Sequence, residues 1–449
     1  MKQAWIPFAS RPVPRYTSYP TAADFTQNVA EPDARLWASA TTPDKPISVY
    51  IHIPFCEKLC FYCGCATSVP NGYSRIASYL ETLHREIDLW AAALGDHAGM
   101  VHLHFGGGSP NALSATDFQE LVAHAARAFR LRPDAEIAVE IDPRNLSPDF
   151  VQAMATSGVS RVSFGVQTLS QKVQEAVGRV QPKILLSEGI ERLHAAGIRA
   201  INMDLMYGLP HQTVTDVEEA AHFAAEMGAA RISLFGYAHV PWFAKHQKAI
   251  DEDALPGLQA RFEQAEAGAH TLELAGYQAI GLDHFARAGD SLAIAARAGT
   301  LQRNFQGYTD DPCDTLIGIG STAISQFSEG YAQNFKDRPS WQNAIHAGRL
   351  PVERGVAITE DDRLRARAIE RLMCDLEVDV DAICDEMGAP RGSLADALET
   401  ARFLQSAGLC QLDRTTIRVP TEARLFLRTV AQSLDGRYKP ATRRHAKAV

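Results

Sequence analysis

Four of the eight cysteines in this 449-residue chain lie in one short segment, Cys56-Glu-Lys-Leu-Cys60-Phe-Tyr-Cys63-Gly-Cys65. The spacing of three and then two intervening residues lets one compact loop present the thiolates of Cys56, Cys60 and Cys63 to one face of an iron–sulfur cube. A [4Fe–4S] cluster usually takes four thiolates. Three thiolates leave one iron with an open position, which suits a cluster that binds and reduces its substrate directly. The loop therefore predicts a three-cysteine [4Fe–4S] site.

Structural zinc and a redox-active thiol pair remain alternatives for this loop, although zinc sites are usually built from two ligand pairs set well apart in sequence. Cys65 could complete the cluster, but the single residue between it and Cys63 makes binding of the same cube sterically awkward. We therefore interpret Cys65 as a neighbour of the cluster and not as a ligand. The remaining cysteines are scattered and are interpreted as structural: Cys313, Cys374, Cys384 and Cys410.

A run of three glycines, Gly106 to Gly108, offers a second site for a polar ligand. Residues without a Cβ allow the backbone to approach a ligand closely and to present N–H and C=O groups to it. The same run also fits a tight turn between a strand and a helix. A Rossmann site is excluded because no GxGxxG pattern opens the next helix.

Four polar residues further along the chain could bind a small charged ligand. Glu140 could accept hydrogen bonds from an ammonium group or a ribose, and Gln167 and Asp204 offer the partners that a ribose needs. Arg179 can hold a carboxylate in a bidentate fork, which a lysine could not reproduce. Each of these residues, taken alone, also fits a surface or capping role.

These residues follow short apolar runs that alternate with amphipathic stretches, the pattern of an α/β fold with a parallel sheet, open or closed into a barrel. The predicted strands cover residues 47–54, 100–108, 136–143, 161–167, 200–210 and 230–241. Helices are predicted at 79–94, 117–129 and 254–275. Each unusual loop begins where one of the six strands ends, and that edge of a parallel sheet is where ligands bind.

The pattern changes after about residue 355 to helices with a short β-like pair at 409–420, which resembles a small winged-helix domain. We expect an N-terminal arm at 1–46, a catalytic domain at 47–350 and a mostly helical C-terminal domain at 351–449. A DNA-binding role for the last of these is disfavoured, because its acidic and basic residues are mixed and no basic face is present.

Composition fits an ordinary enzyme, with 46% hydrophobic and 22% charged residues. The net charge of −9 argues against a general polyanion binder but leaves room for a local basic pocket. No apolar stretch reaches the roughly 18 residues of a membrane span, and the N-terminus lacks the pattern of a secretory signal. We therefore expect a cytoplasmic protein with no membrane or nucleic-acid partner.

The cysteine loop after a strand resembles that of the radical S-adenosylmethionine (SAM) superfamily. The longer string from Tyr50 to Cys65 is similar to one branch, the oxygen-independent coproporphyrinogen III oxidases, and the likeness extends over nearly the whole chain. It is carried by PRYTSYPTA (14–22), HFGGGSPNAL (104–113), EIDPR (140–144), SFGVQ (163–167), NMDLMYGLP (202–210), YAHVP (237–241), GLDHFAR (281–287), RNFQGYT (303–309) and AIS (323–325).

The resemblance implies a partial parallel (β/α)6 barrel similar to a TIM barrel. It also implies that Cys56, Cys60 and Cys63 hold the cluster and that two SAM molecules bind in each chain. The positions that match the family's SAM contacts are Tyr50, Tyr62, Gly107, Gly108, Ser109, Glu140, Gln167, Arg179, Asp204, Ala238 and Ile324. Phe305 and Gln306 are expected to form a wall of the second SAM site. Many relatives carry threonine at the position of Ser109, which keeps the hydroxyl.

The implied reaction is anaerobic conversion of coproporphyrinogen III into protoporphyrinogen IX in haem biosynthesis. A 5′-deoxyadenosyl radical removes a β-hydrogen from a ring propionate, and loss of CO2 and one electron leaves a vinyl group, twice per substrate. A flavodoxin or ferredoxin is the expected electron donor, and the protein is expected to be a monomer. Local cations should bind the tetracarboxylate; the candidates are Arg11, Arg15, Arg437, Lys439, Arg443 and Arg444, although the last four also fit a solvated tail.

Two rival functions fit parts of this pattern. A haem-binding chaperone on the same scaffold usually lacks a cysteine at the position of Cys65 and carries an HNxxYW-type motif where this chain has RNFQGYT. A non-enzymatic iron–sulfur or haem carrier would leave the six loops at the strand ends unexplained. Both comparisons favour the oxidase.

Overall fold

The computed structural model describes residues 1–438. Its strands are β1 (Ile47–Ile53), β2 (Met100–Gly107), β3 (Leu131–Ile141), β4 (Arg161–Gln167), β5 (Ala200–Tyr207), β6 (Arg231–Gly236), β7 (Gln278–Ile280), β8 (His284–Ala286), β9 (Gln302–Asn304), β10 (Gly307–Thr309), β11 (Thr315–Ile319), β12 (Ile324–Phe327), β13 (Gly330–Asn334), β14 (Val352–Ala357), β15 (Glu377–Asp379), β16 (Gln411–Asp413) and β17 (Thr416–Arg418).

Its α-helices are α1 (Ile6–Ala9), α2 (Glu31–Ser39), α3 (Ser74–Ala93), α4 (Ala115–Ala128), α5 (Pro148–Thr156), α6 (Gln171–Ala176), α7 (Lys183–Ala195), α8 (Val214–Glu226), α9 (Leu258–Leu274), α10 (Ser291–Ala298), α11 (Arg338–His346), α12 (Glu360–Asp375), α13 (Val380–Met387), α14 (Ala395–Ser406) and α15 (Leu427–Ala431). The three helices predicted from periodicity correspond to α3, α4 and α9.

One large sheet positions the functional loops. Its order is β14-β13-β12-β11-β1-β2-β3-β4-β5-β6-β8-β7, with parallel pairing from β11 through β1 to β6 and antiparallel pairing at both flanks. The first and last of the six predicted strands do not pair with each other, so the barrel is open. This confirms the predicted α/β fold with a partial parallel barrel.

The strands are nearly continuously apolar because helices cover the sheet. In β1, six of the seven residues are buried, as expected for a parallel strand with both faces covered. Trp90 of α3 and Phe118 of α4 are fully buried in the same core. The core thereby fixes the ends of the strands, from which the functional loops start.

A buried cluster of ion pairs ties together elements at the amino ends of the strands. Asp290, at the start of α10, accepts from Arg231 Nε at 2.6 Å and from Arg161 Nη1 at 3.3 Å. Arg161 Nε also donates to Glu136 at 2.9 Å, and Arg231 Nη2 lies 3.7 Å from Asp310. Three carboxylates therefore surround two guanidinium groups, and this amino-end cluster is saturated by its own members.

A second core joins the two ends of the chain. Trp5, Phe8 and Tyr16 pack with residues of α12 and α14, and Trp5 Nε1 donates to the carbonyl of Ala407 at 3.0 Å. The strands β15, β17 and β16 form a small antiparallel sheet beside α13 and α14, which confirms the winged-helix-like arrangement. None of the helices in residues 1–438 is long and apolar enough to cross a bilayer.

Candidate functional site

The cysteine loop leaves the carboxyl end of β1 and is closed at its base by backbone hydrogen bonds. The amide of Cys56 donates to Ser68 at 3.1 Å, and the amide of Ser68 donates to Pro54 at 3.0 Å. Further along, the amide of Phe61 donates to Val177 at 2.9 Å, which fixes the loop against the end of α6. The loop is therefore held at two points while its cysteines stay near the barrel mouth.

The four thiols of the loop differ in exposure and in proton affinity. Cys60 is buried, Cys56 and Cys63 are half-buried, and Cys65 is exposed. Hydrogen bonding from the Cys65 thiol lowers the pKa of Cys63 to about 6 despite partial burial, and the amide of Cys65 adds a contact of 3.4 Å to the Cys63 sulfur. Burial raises the pKa of Cys56 to about 11. The thiol and the amide of Cys65 thus both contact the sulfur of Cys63.

Two arginines converge on the sulfur of Cys60. Arg144 Nη2 lies 3.3 Å and Arg179 Nη1 3.4 Å from Cys60 Sγ. Asp142 accepts from both, at 2.5 Å from Arg144 and 3.3 Å from Arg179. Two guanidinium groups share a single carboxylate, so this carboxyl-end cluster keeps an excess of positive charge beside a thiolate position.

This arrangement fits an anionic iron–sulfur cluster. Hydrogen bonds to ligand sulfurs and nearby cations are among the factors that set the potential of such clusters. Within residues 1–438, no three side chains of His, Cys, Asp or Glu converge on a single metal ion. A [4Fe–4S] cube does not need such convergence, because each of its thiolates binds a different iron. The residues present therefore suit a cluster held by Cys56, Cys60 and Cys63.

The glycine run packs against the cysteine loop and leaves no space for side chains. A Cβ on Gly107, where φ is +110°, would lie 2.3 Å from the His52 ring, and a Cβ on Gly108 would lie 2.6 Å from the carbonyl oxygen of Phe55. Ser109 is buried, and its hydroxyl donates to Asn111 at 2.5 Å. The run thus brings the end of β2 into direct contact with the loop.

Glu140 belongs to a polar group inside the barrel. His104 Nε2 lies 3.1 Å from one carboxylate oxygen, and the amide of Gly107 donates to the other at 3.2 Å. Its place inside the barrel opposes ionisation, but His104 and Gly107 outweigh this and lower the pKa of Glu140. Tyr50 stacks on His104 with ring centroids 5.7 Å apart, and its hydroxyl lies 3.1 Å from His52 Nδ1. Glu140 therefore presents an ionised carboxylate near the carboxyl end of β3.

Gln167 is the last residue of β4, and Asp204 lies within β5. Gln167 has φ +65°, a left-handed conformation that non-glycine residues adopt mainly where the surroundings enforce it. Asp204 accepts from Asn202 Nδ2 at 2.9 Å. Burial, followed by the charge of Glu140, raises the pKa of Asp204 to about 6. Asp204 is thus an acid whose charge changes just below neutral pH.

The cysteine loop opens onto a cavity of about 1870 Å³. This exceeds the roughly 300–1,000 Å³ of pockets for drug-sized ligands. Tyr62, Cys63, Cys65 and Ala238 line one part of it. The loop after β6 closes over the cysteine loop there, because Gln247 Nε2 donates to the carbonyls of Tyr62 at 2.8 Å and Ala238 at 3.2 Å.

Phe305 and Gln306 form the two-residue turn of a hairpin between β9 and β10, in which Asn304 pairs with Gly307. Both residues line the cavity. Ile324, at the start of β12, packs with Phe305 on the buried rings of Phe25 and Tyr331. The structure therefore brings Phe305, Gln306 and Ile324 to one side of the site, although they are separate in sequence.

The predicted residues thus fall into three groups. Tyr62, Cys63, Ala238, Phe305 and Gln306 line the cavity. A second set meets around Cys60, Glu140 and the strand ends: Tyr50, Cys56, Cys60, Gly107, Gly108, Glu140, Gln167, Arg179 and Asp204. Ser109 is buried, and Ile324 is half-buried on the same side of the site as Phe305.

Several residues that contact the candidate site were not predicted from the sequence. Asp142 and Arg144 lie in the EIDPR motif, which could have directed attention to them. His104 could have been found from the register of β2. His246, whose Nε2 lies 2.6 Å from the carbonyl of Cys63, and Gln247 lie about ten residues beyond the end of β6 and carry no sequence signal.

Comparisons with known proteins cover nearly all of the chain. The family model of the radical SAM superfamily matches residues 50–224, and that of the HemN C-terminal domain matches 358–426. The chain is 42% identical over 444 residues to an oxygen-independent coproporphyrinogen III oxidase of Bradyrhizobium diazoefficiens, covering 99% of each. It is 33% identical over 446 residues to the protein of that name from Helicobacter pylori, covering 98% of this chain and 97% of that one.

A solved structure shares the whole architecture. The coproporphyrinogen III oxidase of Escherichia coli, described as a radical SAM enzyme, superposes with a TM-score of 0.89 at 35% sequence identity. The match covers 94% of this chain and 98% of that one.

Proposed function

This chain belongs to the oxygen-independent coproporphyrinogen III oxidases of the radical SAM superfamily, and from this premise we propose how its residues divide the reaction. It carries out the anaerobic oxidation of coproporphyrinogen III in haem biosynthesis. The observation that best supports this assignment of roles is that Arg144 and Arg179 both contact the sulfur of Cys60, beside a cavity large enough for several ligands.

We propose that Cys56, Cys60 and Cys63 hold the [4Fe–4S] cluster. Held by these three residues, the cluster would supply the one-electron reduction of SAM from which the oxidation of a propionate starts. Arg144 and Arg179 compensate negative charge at Cys60 and stay in place because Asp142 holds both. Gln247 and His246 fix the carbonyl side of the loop and restrict the access of water.

The first SAM molecule is assigned to the residues at the strand ends. Glu140, ionised and anchored by His104, offers its carboxylate to the amino group or ribose of the ligand. Gln167 and Asp204 supply further hydrogen-bond partners, and the bare backbone of Gly107 and Gly108 allows close approach. Tyr50, Tyr62, Ser109, Arg179 and Ala238 complete this set.

The second SAM molecule is assigned to the side of Phe305, Gln306 and Ile324. In support, Phe305 and Ile324 pack together against Phe25, Tyr331 and Val356, which come from three separate segments of the chain. The cavity volume also exceeds that of one small-ligand pocket. Equilibrium dialysis of the anaerobic protein should give two SAM per chain. Gln306→Ala should reduce this to one, whereas Gln302→Ala, in the same hairpin, should leave two.

The proposal extends to the partners and the setting of the enzyme. A flavodoxin or ferredoxin can approach the exposed outer residues of the cysteine loop, Glu57 and Lys58. The enzyme is proposed to act as a monomer in the cytoplasm, where the eight free cysteines fit a reducing environment. We place the end of the N-terminal arm at residue 46. The strand β14 still belongs to the large sheet, so we place the start of the C-terminal domain after it and not at the expected residue 351. In support, most residues of the second core lie from Leu364 onward.

Anaerobic turnover tests the proposal. Protein reconstituted with iron and sulfide should show an EPR signal of a reduced [4Fe–4S] cluster that changes when SAM is added. With reductant, SAM and coproporphyrinogen III, it should form protoporphyrinogen IX, read by porphyrin chromatography. Tight haem binding without decarboxylation would instead support the chaperone, and an EPR spectrum unchanged by SAM would contradict the radical mechanism.

A further inference from the structure

A group of arginines lines the cavity on segments other than the six strands and the cysteine loop. Arg303 comes from strand β9, Arg15 from the N-terminal arm, and Arg424 and Arg428 from the C-terminal part of the chain. Electron transfer and SAM binding, as assigned above, use none of them. Their position in a cavity for a tetracarboxylate calls for a separate explanation.

Arg303 is held in place and keeps unused hydrogen-bonding capacity. Its Nε donates to the carbonyl of Tyr16 at 3.0 Å, and Nη2 donates to that of Arg15 at 3.4 Å. The guanidinium lies 4.3 Å from the centre of the Tyr308 ring. Its Nη1 is buried without a hydrogen-bond partner among the described residues. A buried donor without a partner is costly unless a ligand satisfies it.

Arg428 shows that positive charge accumulates here. Burial, followed by the charge of Arg15 and with a contribution from Arg303, lowers the pKa of its guanidinium to about 10. The nearby carboxylate of Asp283 opposes this shift without cancelling it, and it also lies 2.8 Å from His284 Nδ1. Like charges brought together at a partly buried site repel each other, and a bound anion relieves that repulsion.

We propose that Arg303 and Arg428 form a carboxylate clamp for the two propionates of the substrate that are not converted to vinyl groups. The proposal rests on the tetracarboxylate substrate of the proposed function. Arginine suits the role, because its planar fork binds carboxylates through two parallel hydrogen bonds. Since Arg303 is fixed by the N-terminal arm and Arg428 lies on α15, the clamp joins both ends of the chain to the substrate.

The proposal predicts a particular pattern of ligand affinities. The oxidised, fluorescent porphyrins coproporphyrin III and protoporphyrin IX serve as probes, because the first carries all four propionates and the second only the two that survive the reaction. Arg303→Gln and Arg428→Gln should each raise the Kd of both porphyrins by about 10-fold or more, the loss expected for one charge-assisted contact. Arg303→Lys should recover part of the affinity.

Controls separate the clamp from damage to the fold or to the rest of the site. Both variants should keep the iron content and the SAM-dependent EPR change, and KM for coproporphyrinogen III should rise more than kcat falls. Arg418→Gln, an exposed arginine paired with Glu377, should change neither Kd. If wild-type protein responds to SAM but binds neither porphyrin, the substrate assignment of the proposed function fails rather than the clamp.

Two results would overturn the clamp. One is a change of less than twofold in both dissociation constants in both glutamine variants. The other is weaker binding of coproporphyrin III with unchanged binding of protoporphyrin IX, which would place the arginines on the propionates that react.

Discussion

The two ends of the parallel strands carry ion-pair clusters of the same residue types with different surroundings. At the amino ends, Asp290 lies between Arg161 and Arg231; at the carboxyl ends, Asp142 lies between Arg144 and Arg179. Burial does not distinguish them, since the side chains of Asp290 and Asp142 are 5% and 7% exposed. The difference lies in what else the arginines contact.

At the amino ends, the arginines find further acids, Glu136 and Asp310, so the charge is balanced within the protein. At the carboxyl ends, both arginines turn to the sulfur of Cys60. A buried ion pair is by itself weak support for either stability or function. We therefore interpret the uncompensated positive charge, and not the presence of an ion pair, as the mark of a functional cluster.

The largest expected effect is the difference between removing a thiol at the carboxyl ends of the strands and removing one near their amino ends. Cys60→Ala should lose the cluster and all measurable turnover, a fall of more than about 100-fold, because a proposed cluster ligand is removed. Cys313→Ala, a buried thiol near the amino ends, should keep its iron content and activity within about twofold. Iron analysis and anaerobic turnover provide the measurements, and loss of iron in Cys313→Ala would break the comparison.

The next largest effect is expected from arginine substitutions, which should change activity at the carboxyl-end cluster and stability at the amino-end cluster. Arg179→Gln should lower turnover about 10-fold and move the cluster potential negative by roughly 60 mV, the equivalent of a tenfold change in a one-electron equilibrium. The sign follows because removing a cation disfavours the more negative, reduced cluster. EPR-monitored redox titration measures the shift.

The matched variant at the amino ends is Arg231→Gln. Breaking that buried pair should cost about 3 kcal/mol of unfolding free energy, measured by denaturant titration. Turnover per folded molecule should stay within about twofold. A shift of the cluster potential in Arg231→Gln equal to that in Arg179→Gln would show that the two ends do not differ as described.

A smaller effect distinguishes two acids by pH. Asp204, whose pKa is raised to about 6, is protonated below that pH and loses acceptor capacity for ligand hydroxyl or ammonium groups. SAM binding should therefore weaken about 10-fold as the pH falls from 7 to 5. Asp204→Asn should remove this dependence, whereas Asp310→Asn, at the amino-end cluster, should retain it. Calorimetric titration at both pH values measures it.

The smallest expected effect concerns Cys65. Cys65→Ser should keep the cluster, with an iron content within about 20% of the wild type, because the serine hydroxyl and the backbone amide can still donate to Cys63. A protein without iron would show that Cys65 is a ligand and that three cysteines are not enough.

Sequence reasoning located the strands and the cysteine loop because both depend on local pattern. The apolar runs that became β1 to β6 and the spacing of Cys56, Cys60 and Cys63 can be read within a few residues of each other. Gln247 and His246 could not be found in this way, since their contacts with the cysteine loop span more than 180 residues. Their role depends on how the loop after β6 folds back.

Packing of the chain ends was also beyond prediction from sequence. Arg15 could be selected as a cation for the substrate, but the position of Arg303 beside it depends on a contact across 287 residues. Arg437, another candidate, is engaged by Asp362 at 2.6 Å. Lys439, Arg443 and Arg444 lie outside the described residues.

The shared core of the chain ends has a consequence for the order in which the enzyme is made. Trp5 and Tyr16 are synthesised 402 and 419 residues before their respective partners Ala407 and Asp435. Domains fold as they emerge during synthesis, so the barrel and its cysteine loop are complete while the arm still lacks its partners. The wall of the cavity that contains Arg303 and Arg428 is therefore completed only after the barrel and its cysteine loop.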